Sequence, residues 1–384
     1  MELSSEDNLR INVLITQTLY AVRIDESSMT VHALCEQGEA KVPLHPTGRD
    51  DKYLRLVREL LSMHVLGSPG GYPVFLKRWT RMGQMREQSL EGLLLLGEPE
   101  AIVAVAHAPD LDENIARRAW WAMPSAEVAR RMLENKRIAD SEFGKELAAF
   151  LIDYLPFESE PRAIVESVKL VLQPGLINEN TAMGLWRRAE RKSVYYVGFL
   201  HAVPDQLPVA IAEHPAFQSM QTELDTLLQQ QNPFARQLLR LLSPAGQAFL
   251  DTVEKALLRL SHPDVVVLFL ESIETYSQPV RIAEGKPCRY IHDIVSNTNN
   301  RLIANNEPLL QALIDTIPDN RVVINAMLAL SFVGEELINP IFSQTDAVGS
   351  VMRNKLMPVT TPLGDWIQQL SVKDAQNPER PLGG

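Results

Sequence analysis

A chain that says the same thing twice has to fold by setting its copies side by side, and this one repeats itself over Glu98 to Leu133. Glu98, Pro99, Ala101, Ile102 and Val103 open the stretch, followed by Pro109, Leu111, Glu113, Asn114, Ala116 and Trp120. The same residue types return as Glu160, Pro161, Ala163, Ile164 and Val165, then Pro174, Leu176, Glu179, Asn180, Ala182 and Trp186. The offset is 62 at the first proline (161 − 99) and 66 at the tryptophan (186 − 120), so the copies differ by small insertions in turns. Helical-repeat units run to about 33–47 residues, and this spacing predicts two helical hairpins per copy. A fainter third echo starts at Glu307 and Pro308, with Pro318 following at the interval that separates Pro99 from Pro109.

Repeat arrays lengthen without adding domains, so 384 residues do not by themselves count domains. The net charge of -11 is uneven: residues 1–97 hold 11 Lys+Arg against 12 Asp+Glu, which leaves 26 against 36 for the remainder. The acidic surplus thus belongs to the helical body, where it repels a phosphate backbone at long range and counts against a nucleic-acid binder. Met1 to Asn8 is polar and is followed by no export-type apolar stretch, no window approaches a membrane span, and two cysteines make no disulfide framework. These features predict a cytoplasmic protein.

Along the chain, Ser4 to Leu19 has the spacing of a short amphipathic helix, with Ser4 and Asp7 as a capping pair and Leu9, Val13 and Leu14 on one stripe. Tyr20 to Ile24, Met29 to Leu34 and Ala40 to Leu44 read as strands joined by short polar turns, which predicts an antiparallel meander. Arg49 to Leu66 returns to helical spacing, with Leu54, Val57, Leu61 and Val65 placed to cover the sheet. From Ser89 on, prolines stand at expected helix starts: Pro99, Pro161, Pro215, Pro233, Pro244, Pro263 and Pro308. Ser243, the pair Ser261 and Asp264, and the pair Asp110 and Glu113 are the expected caps. The pattern lapses between Gln278 and Arg289, and Asp374 to Gly384 is polar enough to predict disorder. The expected architecture is mainly α: a HEAT-like α-solenoid of stacked helical hairpins behind a small N-terminal α+β capping module. Its expected segments are 1–87 for the module, 88–277 for the array, 278–370 for further hairpins and 371–384 for a disordered tail.

No GxGxxG, GK[ST] loop, HExxH, CxxC or GxSxG occurs, so the sequence predicts neither an enzyme nor a cofactor. Gly67 to Gly71 reads as a structural turn, and the eight histidines never fall four apart on a helix. Lys77, Arg78, Trp79, Arg81 and Arg86 form a basic-aromatic cluster. Arg117 with Arg118, Arg130 with Arg131, and Arg187 with Arg188 recur along the repeats and either make a basic strip or pair with carboxylates such as Glu113, Glu127 and Glu190. Trp120 and Trp186 are expected in the core, whereas Trp121, about 100° further round its helix, is expected at the surface. Cys288, close to Lys286, Arg289 and His292, is the residue with the setting of a reactive thiol, set against the commoner inert buried cysteine.

Several stretches carry a likeness. They are Arg23-Ile24-Asp25-Glu26-Ser27, Gly38 to Leu44, His64 to Val74, Leu76 to Gln84, and Arg118-Ala119-Trp120-Trp121-Ala122-Met123-Pro124. The chain over most of its length resembles the DsrS family, soluble proteins encoded with the reverse dissimilatory sulfite reductase system of sulfur-oxidising bacteria. The resemblance implies a cytoplasmic accessory of sulfur-globule oxidation with a regulatory part in expression or assembly of the pathway, and it supplies no catalytic residues. Three functions are therefore in view. The first is a non-enzymatic protein that binds partners of the sulfur oxidation machinery, with Arg117, Trp121, Arg130 and Arg131 as first suspects. The second is RNA contact through the Lys77 to Arg86 basic-aromatic cluster, with Lys77, Arg78, Trp79 and Arg81, together with the arginine pairs. The third is sulfur relay through Cys288.

Overall fold

In a computed structural model of the chain, residues 2–73, 87–281, 288–304 and 306–372 are described. They are mainly helical, with one three-stranded antiparallel sheet near the N-terminus. The chain divides into two compact units, one of Met1–Pro156 with Gln173–Ile177, the other of Phe157–Leu172 with Asn178–Gly384.

The first unit opens with α1 (Ser5–Ile15), then β1 (Leu19–Asp25), β2 (Thr30–Cys35) and β3 (Gly38–Pro43) in the order β1-β2-β3, as the turn lengths predict. The register sets Arg23 opposite His32 and His32 opposite Lys41. Alternation sends Val22, Val31 and Val42 to one face, where α1 and α2 (Asp50–Leu66) close over them with Ile11, Leu14, Tyr53, Leu54, Val57 and Leu61.

The inward stripe of α1 is not the expected one. Leu9 and Val13 are exposed, and Asp7, Ile11, Leu14 and Ile15 face the core. The reason is a polar network that reaches in from far along the chain. Asp7 is fully buried, and its carboxylate accepts the Tyr53 hydroxyl (2.5 Å) and the His45 backbone N–H (2.7 Å). The Ser4 hydroxyl caps α1 by accepting the Asp7 N–H (3.1 Å), and the Ser4 N–H donates to the Tyr53 hydroxyl oxygen (3.0 Å). Burial alone would raise the Asp7 carboxyl pKa, but the hydrogen bonds from Tyr53 and His45 outweigh it and leave the pKa below its ordinary value.

Five short helices and a single turn complete this unit: α3 (Glu87–Leu94), α4 (Pro99–Ala106), α5 (Glu113–Ala122), α6 (Ala126–Glu134), the turn α7 (Lys136–Ala139) and α8 (Glu142–Tyr154). The second unit holds α9 (Pro161–Val171), α10 (Glu179–Ala189), α11 (Val194–Ala202), α12 (Phe217–Glu223), α13 (Asp225–Gln229), α14 (Pro233–Leu242), α15 (Pro244–Leu257) and α16 (Pro263–Ser277). After it come α17 (Ile291–Ile303), α18 (Pro308–Thr316), α19 (Arg321–Ser331), the short α20 (Asn339–Phe342) and the long α21 (Gly349–Gln369).

The repeat is structural as well as textual. Pro99 and Pro161 both occupy the first turn of their helices, and the next helix in each copy begins on an Asx cap. Asp112 accepts the Ile115 N–H (2.8 Å), and Asn178 accepts the Thr181 N–H (2.9 Å). Three local expectations are corrected. Asp112, rather than Asp110, caps α5; His262 holds the N-cap position of α16 with no side-chain bond, while the Ser261 carbonyl accepts the Gly349 N–H; and Pro215 lies in the turn before α12 rather than in its first turn. The lapse at Gln278–Arg289 does not separate the two units, because its ends are sewn into the second. The Arg301 guanidinium donates to the Val280 carbonyl (3.0 Å), and Arg281 donates to the Val333 carbonyl (3.2 Å). At the far end Ser371 is buried and the Val372 N–H donates to Gln247 (2.6 Å), so the packed chain continues through Val372, and Asp374 to Gly384 lie outside the described residues.

Trp186 is core as expected, 6% exposed and held edge-on by Tyr196 and Phe199, each 5.0 Å away. Trp120 is only half-buried, with one edge against Phe150 at 4.8 Å. Two outcomes follow. Trp186→Ala is expected to cost ~3–5 kcal/mol, and Trp120→Ala distinctly less, in urea unfolding. Asp7→Asn replaces the charged acceptor by a neutral amide that turns an NH2 donor toward the same cluster, so amide exchange in β1 and β2 is expected to quicken by roughly 5- to 150-fold, equivalent to ~1–3 kcal/mol. Because the folded pKa of Asp7 is lowered, its contribution is complete at neutral pH and is lost as pH falls through that folded value; melts of wild type and Asp7→Asn should converge in acid.

Candidate functional site

Helix α5 carries most of the suspected residues, and the structure gives each a neighbour. Arg117 lies over the Phe143 ring (4.5 Å to the centroid) and bridges Glu113 (2.9 Å) and Glu146 (3.0 Å), bonds that raise its pKa further. Arg118 covers the Tyr20 ring at 4.4 Å and pairs with Glu91 at 2.8 Å. Arg131 on α6 pairs with Glu134 at 2.6 Å, and Arg130 is half-buried and also engaged. Glu113 is the carboxylate foreseen; Glu91, Glu134 and Glu146 take the other places. Arg187 and Arg188 stand exposed in the last turn of α10, where a positive charge complements the negative end of the helix dipole. Lys77, Arg78, Trp79 and Arg81 lie outside the described residues.

Trp121 is not a free surface ring. It is half-buried beneath Arg23, whose guanidinium sits 4.9 Å from the ring centroid and reaches the Trp121 carbonyl (3.5 Å). Arg23 belongs to a row across the sheet, Arg23, His32 and Lys41, and all three converge on one oxygen of Glu39, at 3.2, 2.7 and 3.9 Å. The His32 hydrogen bond first, and then Arg23 and Lys41, hold the Glu39 carboxyl below its ordinary pKa. Sequence reasoning missed this row: the two hairpins turn through loops of different length, residues 26–29 and 36–37, and only the register makes Arg23, His32 and Lys41 cross-strand neighbours.

The glycine run acts as a structural turn. Gly67 ends α2 in the left-handed region (φ 66°), and the Ser62 hydroxyl donates to the Ser68 carbonyl (2.7 Å) while accepting the Gly71 N–H (2.8 Å). The Glu98 carboxylate takes the Tyr72 N–H (2.9 Å) and presses so close to Gly71 (φ 56°) that a Cβ there would overlap it. The N–H groups that could cradle a phosphate are therefore filled by the chain's own Ser62 and Glu98.

Cys288 is 5% exposed, accepts a hydrogen bond from Asn297 (3.3 Å), and has its thiol pKa pushed up by burial. Arg289 points to Glu336 instead (3.9 Å), and Lys286 lies outside the described residues. A raised pKa lowers the thiolate fraction, the opposite of what a sulfur acceptor needs. Among the described residues no three His, Cys, Asp or Glu side chains gather as a metal site, and no helix is long and apolar enough to cross a membrane.

What the α5–α6 face offers is a mixed, ion-paired, aromatic-backed surface. Exposed pairs of this kind contribute about 0–1 kcal/mol each to folding, so they are available to be exchanged for a partner's charges. Compared with known protein families, with characterised proteins and with solved structures, the chain matches none.

The thiol gives a direct check. Native Cys288 is expected to react with iodoacetamide at neutral pH much more slowly than the same cysteine in denaturant, and Cys288→Ser to fold normally; a fast native rate would contradict the burial.

Proposed function

We propose that this chain is a non-enzymatic interaction and regulatory protein of cytoplasmic sulfur oxidation, which binds protein partners through the surface of a HEAT-like α-solenoid capped by its N-terminal α+β module. The observation that carries the binding reading is the recurrence of a proline-started helix followed by an Asx-capped helix in both repeat copies, with side chains such as Arg117, Arg118 and Arg131 presented on successive helices and matched by carboxylates. A surface in which both signs alternate over aromatic backing is complementary to another protein's polar rim. The pathway assignment rests on the resemblance to the DsrS family, whose likeness includes Arg118 to Pro124 on and just beyond α5.

RNA contact is the weaker reading, because the described arginines of α5 and α6 are engaged by their own chain and the chain as a whole carries -11. Sulfur relay is weaker still, given the burial of Cys288.

The test is a pull-down from an extract of sulfur-oxidising cells, with and without ribonuclease, using the whole chain and an Arg117→Glu, Arg118→Glu variant. A protein of the sulfur oxidation machinery should be retained after ribonuclease treatment and lost with the variant. Recovery that vanishes with ribonuclease, or with Arg78→Glu and Arg81→Glu in a salt-dependent way, would replace this reading by the RNA one.

A further inference from the structure

The end of α10, in the second unit, gathers positive charge that nothing above uses. Arg187 and Arg188 stand in its last turn, and the N–H groups of Arg191 and Lys192 both donate to the Arg188 carbonyl (3.1 and 3.0 Å) in the turn that follows. Arg259, just past α15, joins them: its guanidinium donates to the Glu190 carbonyl (2.8 Å), and the Ser193 hydroxyl donates to the Arg259 carbonyl (3.2 Å). All five cations are exposed. Lys192 reaches the Glu158 carbonyl (3.4 Å), and among the described residues Arg187, Arg188 and Arg191 make no ion pair. Counted with Lys255 there are six cations, against the carboxylates of Glu190, Glu158 and Asp251, the last paired with Lys255 at 2.7 Å. The excess of three positive charges (6 − 3) sits in a chain whose net charge is -11. The negative end of a helix dipole amounts to roughly half a unit charge, so it leaves most of that excess unbalanced. Nor does the repeat require these residues: at the offset of 66 that relates Trp186 to Trp120, the counterparts of Arg187 and Arg188 are Trp121 and Ala122.

A second observation comes from the core beside these cations. Tyr196 is 4% exposed and sets its ring edge-on to Trp186 at 5.0 Å, yet its hydroxyl has no hydrogen-bond partner among the described residues. Burial raises the Tyr196 pKa, and the charges that act on it are Lys255, Glu190, Arg259 and Asp251, which sets the hydroxyl among the groups just named. At neutral pH it is therefore an O–H donor with an open acceptor position. A buried polar group in this condition calls for a partner from outside the chain.

We propose that this surface binds a short acidic segment of a partner protein, whose Asp or Glu carboxylates meet Arg187, Arg188, Arg191 and Arg259 while one of them accepts the Tyr196 hydroxyl. Arginine clusters recognise acidic motifs in this way, through charge-assisted and paired N–H donors. A nucleic acid has the same sign and fits less well. Residues 98–384 hold 36 Asp+Glu against 26 Lys+Arg, so a long polyanion would run off these cations onto a repelling surface, whereas a segment of a few residues stays on them. Base stacking also needs a series of open rings, but Trp186, Tyr195 and Tyr196 are buried, and Phe157, next to Glu158, is the exposed one. The inference deepens the partner-binding reading and rests on it, and it names a surface of the second unit rather than the α5–α6 face of the first.

The experiment is fluorescence anisotropy on the whole chain at low salt with three labelled probes: a short glutamate-rich peptide, the same peptide with glutamine at every glutamate, and a single-stranded oligouridylate. The glutamate peptide is expected to bind saturably and at least about tenfold more tightly than either of the others. Arg187→Gln, Arg188→Gln and Arg191→Gln together should weaken it by about tenfold or more. Tyr196→Phe removes only the hydroxyl and should weaken it by roughly two- to tenfold with an unchanged circular dichroism melt, which keeps the test valid if the triple variant fails to fold. Arg10→Gln, Arg49→Gln and Arg55→Gln remove the same charge from exposed positions of the first unit and should leave binding unchanged. Equal binding of the two peptides, or an equal loss in the first-unit variant, would overturn the inference. Tighter binding of the oligouridylate would also overturn it, making nucleic acid the occupant. If the glutamate peptide does not bind while the pull-down still retains a sulfur oxidation protein, the inference fails and the broader reading stands; if the peptide binds as expected and the pull-down retains no such protein, the broader reading fails alone.

Discussion

A protein made of short helices has many helix ends, and each end leaves backbone groups with no partner inside its own helix. This chain meets that constraint in two ways at once. Proline in the first turn removes a donor that would otherwise be orphaned, as at Pro99, Pro161, Pro233, Pro244, Pro263 and Pro308. Ser, Asp or Asn one step earlier accepts from the second or third helical N–H, as Asp112, Ser125, Ser141, Asn178, Asn232 and Ser243 do. Each cap contributes about 1 kcal/mol, which matters in helices of only ten or so residues that would not hold alone in water.

Helix ends are also where the second unit is tied together. Asn232 caps α14 with its oxygen, and its amide donates to the Leu309 carbonyl on α18 (2.7 Å). Gln237 donates to the Tyr276 carbonyl at the end of α16 (3.0 Å), and buried Gln247 donates to Leu241 and Leu370 while accepting from Val372. A further tie is Arg301, 7% exposed, which forks onto Glu307 at 2.6 and 2.7 Å and donates to the Val280 carbonyl, its guanidinium 5.4 and 5.7 Å from the rings of Phe234 and Phe332. A buried guanidinium is tolerable only when its charge and donors are met, so removing Glu307 would leave an uncompensated charge in the core. One side chain thereby fixes the ends of three segments.

These ties explain what was legible in the sequence and what was not. The proline-started helices and the meander could be read because their signals are local: a fixed residue at a fixed offset, or strict alternation between short polar turns. The α1 stripe could not, because Leu9 and Val13 are as apolar as Ile11 and Leu14, and the choice was made by Tyr53 and His45, 46 and 38 residues downstream, through their bonds to Asp7. Trp121 was placed at the surface by counting degrees round a helix, and Arg23, 98 residues away, covers it. Leu257 and Leu258 are harder again: side by side and equally apolar in the sequence, the first is buried and the second is 71% exposed.

Helix α21 shows how far tertiary packing overrides local preference. Two internal prolines would each disfavour an isolated helix by about 3 kcal/mol, yet this is the longest helix described, at 21 residues. It is held by one face, where Met352, Leu356, Val359, Leu363, Trp366 and Ile367 are buried, and by Gln247 at its end. Packing on that face does not restore the donors missing at 358 and 362. The carbonyls of Asn354 and Pro358 therefore have no donor four residues on, and both residues are exposed, so water can meet them. A sequence optimised for stability alone would replace both prolines, and their presence in a well-packed helix is the kind of local inconsistency that marks a surface shaped by something other than folding.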